Sequence, residues 1–87
     1  MSSVYVLIGH IYEGSGEDRD MLLSVFKEIP TEDLLCKVIN SMEDSWHKEA
    51  FSSIDLATVV LNIGCSVISQ TDWGDEIGLE LREMELL

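Results

Sequence analysis

The 87-residue chain carries 17 Asp or Glu against 5 Lys or Arg, a formal net charge of -12, and 46% of its residues are apolar. This length allows one small domain, residues 1–87, because a second core needs roughly another 50 residues, and a mean hydropathy of +0.15 sets aside a charge-extended disordered chain. Five basic residues also exclude direct binding of nucleic acid by so anionic a molecule.

Taken in chain order, Val4 to Tyr12 is rich in β-branched and aromatic residues and predicts a first strand buried on both faces. The acidic, glycine-bearing stretch Glu13 to Asp20 reads as a hairpin tip, and Met21 to Lys27 as the returning strand. Ile29-Pro30-Thr31-Glu32-Asp33 opens a helix: Thr31 caps free amides, and the two acids sit at the positive end of the helix dipole. Leu34, Leu35, Val38, Ile39 and Met42 then form one apolar stripe, which Trp46 extends by a further turn. Ser52 followed by Asp55 predicts a cap for a second helix over about residues 53–62, with Gly64 as its stop. Cys65 to Gln70 reads as a third strand and Thr71 to Asp75 as a turn. Ile77, Leu79 and Leu81 alternate as a fourth strand, which needs a bulge to bring Met84 and Leu86 into phase; the competing reading is a terminal helix over residues 79–87. The order β-β-α-α-β-β predicts an α+β fold of two layers, an antiparallel sheet with helices on one face.

No apolar segment approaches 18 residues, and the N-terminus lacks the basic residue and long apolar run of a signal peptide, so a soluble, cytoplasmic protein that does not engage membranes is expected. Two cysteines, Cys36 and Cys65, do not make a disulfide scaffold. His10, Cys36, His47 and Cys65 lack the paired spacing of a zinc site, and Cys36, next to Leu34-Leu35, reads as a small core residue. His47, among the charges of residues 43–49, reads as a solvated helix residue. Glu13, Glu17, Asp18 and Asp20 would welcome calcium but lack the alternation, glycine and terminal glutamate of an EF-hand loop. Neither a nucleophile elbow nor a phosphate loop is present, and no carboxylate pair is marked as poised. No catalytic residue, metal or cofactor is therefore expected, and the chain reads as a non-enzyme.

The charge itself is the informative feature. A compact domain of this length has a diameter of about 30 Å, over which duplex DNA carries roughly 18 charges. A net charge of -12 is comparable, and the acids are spread along the chain rather than gathered in a tail. Trp73 between Asp72 and Asp75 adds an aromatic anchor ringed by acids, which suits a basic partner. The expected partner-binding residues are Glu13, Glu17, Asp18 and Asp20 of the hairpin tip with Asp72, Trp73, Asp75 and Glu76 of the later turn. The apolar content exceeds what so small a globule hides with ease, so self-association, as a homodimer, is a further expectation.

Val4-Tyr5-Val6-Leu7, a short polar tip, and Leu22 to Phe26 leading into a helix resemble the start of a family of short bacterial and phage domains of unknown function. The resemblance spans about the first half of the chain, implies no activity, and lapses after Met42, where residues 45–70 are longer than such domains need. In type, a very acidic domain of fewer than 100 residues resembles the small phage-encoded inhibitors that mimic DNA. The expected function is thus binding and inhibition or modulation of a basic, nucleic-acid-binding protein. The alternative is a structural or assembly module that self-associates through an apolar interface. A small enzyme using a carboxylate pair is the third reading.

Overall fold

A computed structural model of the chain describes residues 2–12, 18–70 and 75–86. Along the chain run β1 (Ser2–Tyr12), β2 (Asp18–Phe26), α1 (Glu32–Asn40), α2 (Ser45–Ser52), α3 (Leu56–Leu61), β3 (Ser66–Gln70) and β4 (Glu76–Leu86). The strands form one antiparallel sheet in the order β2-β1-β4-β3. The fold is the α+β arrangement read from the sequence, with three helices where two were expected.

The extra helix has a local cause. The apolar stripe from Leu34 through Met42 to Trp46 predicts one continuous helix, but α1 ends at Asn40 and a new N-terminus is built at Asp44. Its carboxylate accepts the backbone N–H groups of Trp46 at 2.9 Å and His47 at 3.1 Å, donors that an uninterrupted helix would have used internally. Ser52, expected as a cap, instead ends α2, and Asp55 caps α3 by accepting from Ala57 N–H at 3.1 Å. Gly64 lies beyond the end of α3 with a φ of 91°, the left-handed region that glycine enters without a Cβ penalty. From there its N–H donates to the Leu81 carbonyl at 2.8 Å, fastening the segment after α3 to β4. Thr31 caps α1 as expected.

The strand reading of the C-terminus holds over the helical one, and the expected bulge in β4 is absent: the β1–β4 register runs without a shift from Tyr12↔Glu76 to Ser2↔Leu86. Ile77, Leu79 and Leu81 therefore face the core, and Met84 falls on the opposite face. The sheet's irregularity lies in β2 instead, where Leu7 pairs with Ser24 but Ile8 with Leu22. One residue is inserted. Leu22 and Val25 consequently share one face while Met21, Leu23 and Phe26 pack against the core.

That core joins Leu7, Ile11, Ile77, Leu79 and Leu81 of the sheet to Leu35, Ile39, Phe51, Ile54 and Val59 of the helices. Gly9 lies in the same layer because the Phe51 ring occupies its side-chain space: a Cβ there would stand 2.9 Å from Cζ. Cys36, expected in the core, is on the exposed side of α1, where its sulfur accepts from the Asn40 amide at 3.4 Å. His47, expected to be solvated, is half-buried and in ring contact with Trp46 and Phe51. None of the helices among the described residues is long and apolar enough to cross a membrane.

Candidate functional site

The helices cover one face of the sheet. The opposite face carries the alternate side chains: Val4, Val6, Ile8, His10 and Tyr12 of β1, Asp18, Asp20, Leu22 and Val25 of β2, Ile68 of β3, and Glu76, Glu80, Arg82 and Met84 of β4. Gly78 belongs to this face too, since a Cβ there would contact Ile68 Cγ1 at 3.6 Å and His10 Cβ at 3.8 Å.

The antiparallel ladder gathers acids that are distant in sequence at one end of this face. Asp18 and Glu76 are both register partners of Tyr12, so the two flank it on neighbouring strands, each about 5 Å away across the sheet. Asp20 stands next to His10 one step further in. The hairpin end of β1–β2 and the start of β4 thus meet, although some 56 residues separate Asp20 from Glu76 in the chain. Tyr12 registers the accumulated charge. Its phenol is held above the ordinary value of 10.0, first by burial and then by the carboxylates of Asp20, Asp18, Glu80 and Glu76.

Behind Tyr12 lies a string of polar contacts that residue order did not reveal. The His10 ring stacks on that of Tyr12, with centroids 6.1 Å apart. Its Nδ1 lies 2.6 Å from Asp20 Oδ1 and its Nε2 lies 3.2 Å from Glu80 Oε1. Glu80 in turn receives the Arg82 guanidinium, through Nε at 2.9 Å and Nη2 at 3.1 Å. Arg82 is the main reason the Glu80 carboxyl lies below its usual 4.5; burial opposes it and His10 assists. His10 and Glu80 are each only 7% exposed, and among the described residues no buried side-chain polar atom lacks a partner.

Of the residues singled out from the sequence, Asp18, Asp20 and Glu76 come together on this face, and Asp75 immediately precedes β4, half-buried. Glu13, Glu17, Asp72 and Trp73 lie outside the described residues. The residues that sequence reasoning missed are His10, Tyr12, Glu80 and Arg82. Their one sequence signal was a histidine in phase with Val4, Val6 and Ile8 on a strand otherwise apolar. The string does not chelate: its carboxylates take opposite edges of the imidazole, and no group of three or more His, Cys, Asp or Glu positioned for a metal ion occurs among the described residues. Chemically, the arrangement presents an aromatic ring flanked by carboxylates on both neighbouring strands, with the buried Glu80 behind it paired to Arg82.

The rest of the face is apolar. Leu22 is 66% exposed, Val25 54%, Ile68 53% and Met84 48%, and Val25 continues round the sheet edge into a shallow depression of about 540 Å³ lined also by Ile29 and Leu34. Comparison with protein-family models, with curated proteins and with solved structures gave no match to this chain.

Proposed function

We propose that the protein is a non-enzymatic acidic binder that occupies the basic, nucleic-acid-binding surface of a partner protein and so inhibits or modulates it, in the manner of phage or mobile-element inhibitors that mimic DNA. The observation that carries this reading is the convergence of Asp18, Asp20 and Glu76 around Tyr12 at one end of a sheet face that no helix among the described residues covers. An aromatic ring amid carboxylates suits an Arg or Lys side chain, which gains ion pairing and contact with the ring at once. The buried Glu80 is matched by Arg82 and His10, leaving Asp18 and Glu76, with Asp20 68% exposed at its side chain, to set the outward field.

The molecule measures 42 Å along its longest axis, over which a duplex carries about 25 charges. The net charge of -12 is therefore about half the linear density of DNA, lower than a sphere of the same mass would give. Such a ligand competes through charge placed where it is needed rather than by matching the whole duplex.

The test is affinity capture from a lysate of a plausible host at low and at high salt, with elution by duplex DNA and with Asp18→Asn/Glu76→Gln as the control bait. The expected result is a nucleic-acid-binding protein retained only at low salt, displaced by DNA and lost with the variant. Retention that survives high salt and the double substitution would overturn the reading.

A further inference from the structure

We propose that the sheet face left open by the helices of the described residues, from the Tyr12 end to the Met84 end, is the seat of an amphipathic helix of the partner protein, its basic residues over Asp18, Asp20 and Glu76 and its apolar stripe over Leu22, Val25 and Met84. The inference rests on the acidic-binder reading and adds to it the form of the partner and the second half of the contact.

The face is divided lengthwise. At one end stand Tyr12, Asp18, Asp20 and Glu76; at the other, Val4, Val6, Ile8, Leu22, Val25 and Met84. Glu80, beside Ile8, pairs with Arg82, which stands beside Val6 within the second group and is half-exposed, so the two can be covered without leaving an ion unmatched. Four of the seven large apolar side chains exposed among the described residues, Leu22, Val25, Ile68 and Met84, are on this one face. Such a concentration of exposed apolar side chains on one face marks an interaction site.

Charge decides the occupant. Stacking a second copy here would bring two chains of net charge -12 face to face, with Arg82 the one cationic side chain of this face among the described residues able to meet the other copy's carboxylates. The desolvated acids would be left largely without counter-charge, at a cost apolar contact does not recover. A partner bringing Lys or Arg at one end and apolar residues at the other removes that cost. A helix layer is the regular way to cover the second face of a sheet. From Tyr12 to Val4, the register partner of Met84, the face is about 27 Å long at about 3.4 Å per residue, the length of a helix of about 18 residues.

The probe is a synthetic peptide of about that length with Leu on one stripe and Lys in its first two turns, set against a scrambled peptide of the same composition and an oligolysine of equal charge, all titrated into the labelled protein by NMR. The expected result is that the amphipathic peptide binds at least tenfold more tightly than the other two, becomes helical, and shifts the signals of Tyr12, Leu22, Val25 and Met84. Leu22→Ser/Met84→Ser, at exposed positions where folding is little affected, is expected to weaken it about tenfold and leave oligolysine binding unchanged. Equal binding of the scrambled peptide or oligolysine at the acidic end overturns the helix seat and leaves the acidic binder standing. Binding of none of the three overturns both.

Discussion

Glu80 illustrates how a single residue on this face ties stability to pH. Its carboxyl is buried yet lies below its ordinary 4.5, with Arg82 as the first cause. A carboxyl with a depressed value in the folded state stabilises the fold above its unfolded value and ceases to do so as pH falls through the folded one. Arg82→Met keeps an unbranched stem but removes the guanidinium that pairs with Glu80, so it is expected to lower stability at neutral pH. That difference should shrink as pH drops below about 4.5, the unfolded value. Urea unfolding of both proteins from pH 7 to pH 3 checks it, and a difference independent of pH would mean that Arg82 acts through packing alone. Tyr12 provides the complementary reading from the acidic end. In a Tyr5→Phe background, which leaves Tyr12 the one tyrosine, absorbance titration should place its phenol above 10.0, and Asp18→Asn/Asp20→Asn should bring it down without restoring 10.0, because burial is the larger cause. A phenol unmoved by the double substitution would show that these carboxylates point away from the ring. None of this was legible in residue order. Nδ1 and Nε2 of His10 find partners 10 and 70 residues away, and only the ladder brings them into reach.

At the scale of the element, the strands were far more legible than the breaks between helices. Alternation placed β4, which presents Ile77, Leu79 and Leu81 to the helices, whereas β1 was placed by its β-branched and aromatic content and read as buried on both faces, although the helices pack only on the side of Leu7 and Ile11. Where α1 ends is decided differently. Leu34 to Trp46 keeps helical phase throughout, and what divides it is the gain of Asp44 as a new cap, a local competition that periodicity does not register. The bulge opposite Leu7 and Ile8 escaped for a related reason: strict alternation would put Leu22, Ser24 and Phe26 together, whereas the inserted residue sends Phe26 to the core and Val25 outward. Caps of this kind are a measurable part of the stability of short helices. The six-residue α3 depends on Asp55, which takes the Ala57 N–H on Oδ1 and the Thr58 hydroxyl on Oδ2 at 2.9 Å. Asp55→Ala is expected to cost about 1 kcal/mol and Asp55→Asn a small fraction of that, measured by urea denaturation. Equal losses for the two would assign the effect to charge rather than to the capping hydrogen bond.

At the scale of the whole molecule, 17 acidic residues face 5 basic ones, and their mutual repulsion opposes the compact state. Local pairing works in the other direction: Glu80–Arg82 is attractive. Added salt screens both, with a Debye length falling from about 30 Å at 0.01 M to about 8 Å at 0.15 M. Repulsion is long-ranged and many-bodied, whereas the pair is at contact and Glu80 is buried; screening therefore removes more of the first than of the second. Stability is accordingly expected to rise as sodium chloride increases over that interval, seen as a higher urea midpoint with an unchanged slope. The same imbalance that weakens the free protein is what a basic partner would relieve, since each cation it brings reduces repulsion within this chain as well as pairing across the interface. Stability that fell with salt would show that contact pairs outweigh the long-range repulsion, and that the 17 acids are spread too widely over the surface to concentrate a field. The outward field on which the acidic-binder reading depends would then be too weak to select a nucleic-acid-binding protein.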